Sequence, residues 1–228
     1  IGILYLAVGI AFFILLPKPK YQRQRQSGGL QLIKTFHTAL ANKKLLWIYL
    51  VAFLIMGSFV AVFNFISYVL LAPPYSLSQT VVGLLFVVYL FGTFSSTYMG
   101  RLSDQHGNGR VLILGLLIML TGGLLTLLQP LVFKFIGLAI FTFGMLGSHS
   151  VACGWVGKLN HGDKAQSSSM YMFFYYAGAS SLGTLGGVFL ESYGWSGVIG
   201  MVAAAVIICL LVVVRLELAV SQHLLWHH

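Results

Sequence analysis

Six long apolar stretches follow one another along this chain, and none carries an Asp, Glu, Lys or Arg between its ends: residues 45–72, 81–99, 111–128, 135–156, 169–190 and 196–214. Each reaches or approaches the roughly 20 residues a helix needs to cross the hydrocarbon of a bilayer. A seventh run, 1–16, is shorter and reads as the end of a preceding transmembrane helix. The polar connections 73–80, 100–110, 129–134, 157–168 and 191–195 are short, which forces neighbouring helices to run antiparallel. The pattern predicts an all-α integral membrane protein with six complete transmembrane helices.

The six stretches differ in kind. Residues 111–128 and 198–214 hold no aromatic residue and almost no polar one, whereas the two stretches before each are rich in Tyr, Phe, Ser, Thr, Asn or His. The chain therefore reads as two triplets, each closed by a bland helix suited to lipid. Because three is odd, the second triplet enters the membrane from the opposite face. That arrangement is two inverted three-helix repeats, an architecture recurrent among secondary transporters.

Composition supports lipid as the solvent: 7% of residues are charged and 58% hydrophobic, where a soluble domain carries about 25% charged residues. The net charge of +9 comes from thirteen Lys and Arg against four acids. These cations lie in loops rather than in an aromatic-interleaved patch, which argues against nucleic acid as a partner. If 1–16 exits into the cytoplasm, Lys134 is the one basic residue left outside, and the positive-inside rule sets the orientation. Membrane lipid is then the first partner, with both the linker and the C-terminal tail cytoplasmic.

Between 17 and 44 lies a basic linker whose second part, with Ile33, Phe36, His37 and Leu40 at helical spacing, reads as an interfacial amphipathic helix. The six-helix unit then runs from 45 to 215 and a cytoplasmic tail from 216 to 228. Cys153 and Cys209 fall inside spans, where cysteine is usually a small packing residue. No common metal, nucleotide or hydrolase motif occurs, so neither cofactor nor metal is expected.

Gly100-Arg101-Leu102-Ser103-Asp104-Gln105-His106-Gly107-Asn108-Gly109-Arg110 stands between the second and third helices. It resembles the G-x-L-[AS]-D-[RK]-x-G-[RK]-[RK] loop of the major facilitator superfamily, with Gly100, Leu102, Asp104 and Gly107 matching at the right spacing. Gln105 and Asn108 depart from it, leaving Arg101 and Arg110 as the loop's cations. The stretches 148–157 and 175–187 are similar to bacterial inner-membrane carriers of the drug and sugar efflux type, the arabinose-efflux-like permeases. The resemblance implies the C-terminal half of a transporter, with a missing N-terminal half as its partner. It also implies a small-molecule substrate, proton coupling and location in the inner membrane.

Candidate substrate or cavity residues are Asn64, His149, Tyr175 and Tyr176. An amide as deep as Asn64 needs a partner, either another helix or a substrate. His149 has a side chain whose ordinary pKa, about 6.5, suits proton exchange; the alternative is a neutral ring bonded to Ser148, Ser150 or a neighbouring helix. Tyr175 and Tyr176 suit a cavity or a contact between halves, while Tyr171, Trp155 and Trp195 sit where interfacial anchors are common. Ala179, Gly183 and Gly187 form a small-residue stripe for close helix packing, either within this half or against its partner. An enzyme or a channel subunit are the rival readings. The first lacks a buried acid beside His149, and the second a polar or charged ring.

Overall fold

The computed structural model describes residues 42–159 and 164–225. The expected helix end at 1–16, the linker up to 41 and the last three residues of the tail lie outside them. Among the described residues all regular structure is helical: α1 (Lys43–Leu71), α2 (Gln79–Gly83), α3 (Val88–His106), α4 (Asn108–Leu125), α5 (Leu131–Leu159) and α6 (Lys164–Leu225). A 3₁₀ turn, Leu84–Val87, joins α2 to α3, so that 79–106 forms one continuous apolar rod. Among the described residues five helical rods are long and apolar enough to cross a membrane. The longest is broken at Gly194, where φ 64 and ψ −158 leave helical geometry and divide α6 into 164–193 and 195–225.

Local chemistry sets the ends. Asn42 caps α1, its Oδ1 accepting from the amides of Lys44 at 3.1 Å and Leu45 at 3.4 Å, and Ser78 caps α2 in the same way. The expected loop at 100–110 is mostly helix, because α3 runs on to His106 and the chain reverses at Gly107 alone, with φ 91. Such a φ is natural for glycine and strained for any residue with a Cβ. The α6 helix likewise continues past 215 to Leu225.

Contacts fix the directions of the helices. Phe59 packs edge-on to Tyr89 and Phe63 near Phe86, so α1 opposes the 79–106 rod. Ser95 donates to the Phe143 carbonyl, Ser150 to that of Ser96, and Lys158 reaches Asp104, so α3 and α5 run parallel. Gly122 meets Phe141 and Gly115 meets Ser148, which makes α4 antiparallel to α5. Residues 164–193 follow α1 in parallel, Gly178 against Phe53 and Gly186 against Phe65. Past Gly194 the direction is reversed: Trp195 lies at Thr126 and Glu217 at Arg110, opposite ends of α4.

Glycine allows backbones to touch along these seams. A Cβ on Gly122 would stand 2.2 Å from the Phe141 nitrogen, and one on Gly144 2.3 Å from that of Met119. Such close approach supplies the van der Waals attraction that holds helices together in lipid. At the end of the bundle holding Gly194, Trp195 donates to Thr126 Oγ1 at 3.1 Å, the Lys134 ammonium donates to the Thr126 carbonyl, and Tyr75 donates to the Gln129 carbonyl. Lys134 also lies 5.7 Å from the centre of the Tyr75 ring. Trp195 and Lys134, expected as an interfacial anchor and a lone outer cation, are thus tied into one knot. Trp155, also expected as an anchor, is buried in the core. The helices of low polarity are not the most exposed ones: the 79–106 rod is, and Phe91, Phe94 and Tyr98 stand out from it.

Candidate functional site

A histidine and two tyrosines gather where α5 meets the first part of α6. His149 Nδ1 lies 3.0 Å from the Tyr171 hydroxyl oxygen, and the same hydroxyl is 3.4 Å from the His149 carbonyl. One phenol proton cannot serve both acceptors. If it goes to the carbonyl, Nδ1 carries hydrogen and donates to the phenol; if it goes to Nδ1, the imidazole proton sits on Nε2. The contact thus ties the histidine tautomer to a hydroxyl rotation. The imidazole also packs 4.5 Å from the Tyr175 ring, tilted by 38°.

Helix spacing builds this cluster. Tyr171 and Tyr175, four residues apart, share a face of α6 that covers His149, and the next residue, Tyr176, points away from it. Tyr171 and Tyr175 are buried, His149 is half-buried, and Tyr176 is 64% exposed with its ring edge-on to Tyr175. The expectation that Tyr171 anchors the interface is corrected: it is fully buried and bonded to His149. Neither serine beside the histidine bonds to it, and among the described residues the buried Ser148 hydroxyl has no hydrogen-bond partner. Ser150 donates to the Ser96 carbonyl at 3.0 Å, and Ser148 Oγ faces Gly115.

Asn64 does not join this group. It is exposed on α1, and among the described residues no hydrogen bond reaches its amide. Its Nδ2 faces Gly183, 3.8 Å from where a Cβ would stand. The small-residue face of α6 packs within the unit: Gly178 abuts the Phe53 carbonyl, Gly183 the Val60 side chain and Gly187 the Phe65 ring, while Ala179 beside them is half-buried.

The Gly-rich reversal is a second site. Gly100 lies inside α3 facing Ser150, Leu102 is half-buried, and Ser103 donates to the Gly100 carbonyl at 2.7 Å. Lys158, from the end of α5, donates to both Asp104 and Asn108, each at 3.1 Å. Arg110 lies 4.0 Å from Glu217 of α6, and Arg101 is exposed. The cation serving Asp104 is therefore not in the loop at all. Lys158 stands 54 residues away in the chain, and only the parallel packing of α3 and α5 could have identified it. Among the described residues no group of His, Cys, Asp or Glu could hold a metal ion.

Residues 50–224 match the family model of the Major Facilitator Superfamily. The chain is 42% identical over 212 residues to the "Uncharacterized MFS-type transporter YybF" of Bacillus subtilis, covering 92% of this chain and 52% of that protein. It is 40% identical over 217 residues to the "Inner membrane transport protein YnfM" of Escherichia coli, covering 95% and 52%. An "Uncharacterized transporter" of Buchnera aphidicola is 35% identical with the same coverage. The chain thus spans about half the length of the curated relatives it matches.

Proposed function

Since the chain belongs to the Major Facilitator Superfamily, a family of transporters rather than enzymes, we propose that it is the C-terminal half of a secondary active transporter working by alternating access. Its six helical segments are then six spans, grouped as two inverted triplets. The 62 residues of α6 would measure about 93 Å as one rod, roughly three bilayer cores, so its break at Gly194 is read as a turn between two spans. The Asp104 end faces the cytoplasm, as the positive-inside rule asks, and the Gly194 end faces outward.

The observation that carries the reading is the His149–Tyr171–Tyr175 cluster inside an antiparallel apolar bundle. A titratable imidazole at that depth is unusual in a span and suits a relay of protons. Bound to a phenol that can turn, it couples its protonation to the arrangement of α5 against α6. The exposed aromatic side of the 79–106 rod and Tyr176 then face the partner half, and Asn64 with Tyr176 contacts a small substrate of the drug or sugar class. Efflux in exchange for protons across the inner membrane is the direction we favour, on the likeness to efflux permeases described above.

Transport by the full-length protein in proteoliposomes, with and without an imposed pH gradient, tests this. Gradient-driven movement of a substrate that is lost in His149→Gln supports the proposal. Coupled transport that survives in His149→Gln removes the proton role and leaves the carrier. Chemical conversion of a dissolved compound, or flux at channel rates, would overturn the carrier itself.

A further inference from the structure

At the Asp104 end of the bundle, the start of α1 and the end of α6 enclose a groove of about 520 Å³. Lys43, Lys44 and Arg215 stand along it. Ile208 and Leu211 line it about 10 Å and 6 Å deeper along α6, two turns and one turn into the apolar span. Trp47, half out of the protein surface, divides this groove from a second of about 380 Å³ that runs past Leu50, Phe53 and Phe174. The mouth is cationic, and both channels leading from it are apolar.

We infer that this is a binding site for an anionic phospholipid, its phosphate held by Lys43, Lys44 and Arg215 and its two acyl chains astride the Trp47 indole. Charge selects the occupant. The chain has four acids, and none of the three among the described residues lines either groove. Glu217, the one nearest in sequence, lies off the face made by 208, 211 and 215 and is engaged by Arg110 at 4.0 Å. The chain's own flanking segments, 1–41 and 220–228, contain no acid and the first is strongly basic, so neither matches the charge of the mouth. A zwitterionic lipid would bring its own cation toward three others. Basic pockets between helices beside an apolar slot are a recurring way to hold acidic lipid headgroups.

The test uses the full-length protein, purified in detergent and offered dioleoyl phosphatidylglycerol or dioleoyl phosphatidylcholine, with retained lipid counted by native mass spectrometry. Wild type should retain phosphatidylglycerol in preference to phosphatidylcholine. The triple variant Lys43→Gln, Lys44→Gln, Arg215→Gln should lose that preference, with affinity lowered about a hundredfold if each cation contributes as one near a membrane surface does. Leu211→Trp keeps every charge and fills the channel, so it separates a lipid from a free anion and serves if the triple variant does not fold. It should weaken retention as well. Equal retention of the two lipids by wild type, undiminished phosphatidylglycerol on the triple variant or on Leu211→Trp, or displacement of the lipid by millimolar inorganic phosphate would each overturn the inference.

Discussion

Replacing Gly178 by Ala puts a methyl group where the seam between α1 and α6 has no room. Its Cβ would stand 1.9 Å from the carbonyl oxygen of Phe53, and ordinary contact begins near 3.4 Å, so the two backbones must part by about 1.5 Å. Neither side can turn away, because the obstacle is main chain in a packed helix. A gap of up to 1 Å already forfeits a quarter to a half of each atom pair's attraction of about 0.1–0.2 kcal/mol. Over roughly twenty to thirty pairs along the seam, from Gly57 to Phe65, the loss is about 2 kcal/mol, within the usual range for overpacking. That corresponds to a shift of about 30-fold in the unfolding equilibrium. Gly154→Ala on α5 is the control, since nothing lies within 4 Å of its Cβ position. Reversible unfolding of each variant in mixed micelles, titrated with dodecyl sulfate, should place Gly178→Ala well below wild type and Gly154→Ala level with it or slightly above. Equal midpoints for the two variants would refute the close-packed seam.

Three other outcomes follow from the geometry. Tyr171→Phe removes the phenol but keeps the packing, so it should alter the pH profile of transport while leaving the yield of folded protein near wild type; an unchanged profile would separate His149 from its partner. Lys158→Asp should impair folding or turnover, and the swap Lys158→Asp with Asp104→Lys should restore at least part of it, as a pair coupled across α3 and α5 requires. Thr126→Val keeps the shape but removes the hydroxyl that receives the Trp195 indole, and should cost about 1 kcal/mol in the same micelle titration.

Much of this molecule was legible because hydropathy is a local property. The apolar runs marked the rods, and the glycine-rich stretch 100–110 marked the region in which the second rod gives way to the third. Hydropathy records where lipid ends, however, and not where a helix ends. Arg101 to His106 looked like loop and form the water-facing end of α3. Rotation about a helix axis was the other blind spot. Tyr171 and Trp155 sit near span ends, as anchors do, yet both turn inward. Asn64 and His149 were both read as cavity residues, and packing separates them onto different seams. Lys158 could be named as a loop cation but not as the partner of Asp104, because that pairing exists only once α5 lies parallel to α3.

The most direct test of the account asks whether the break at Gly194 is a turn between two spans. In a Cys153→Ser, Cys209→Ala background, single cysteines at Ser192, Gln129, Gln105 and Lys164 would be treated in intact cells with a membrane-impermeant maleimide. The account predicts labelling of Ser192→Cys and Gln129→Cys from outside, with Gln105→Cys and Lys164→Cys reacting only after the membrane is opened. Labelling of Ser192→Cys and Lys164→Cys from the same side would contradict it.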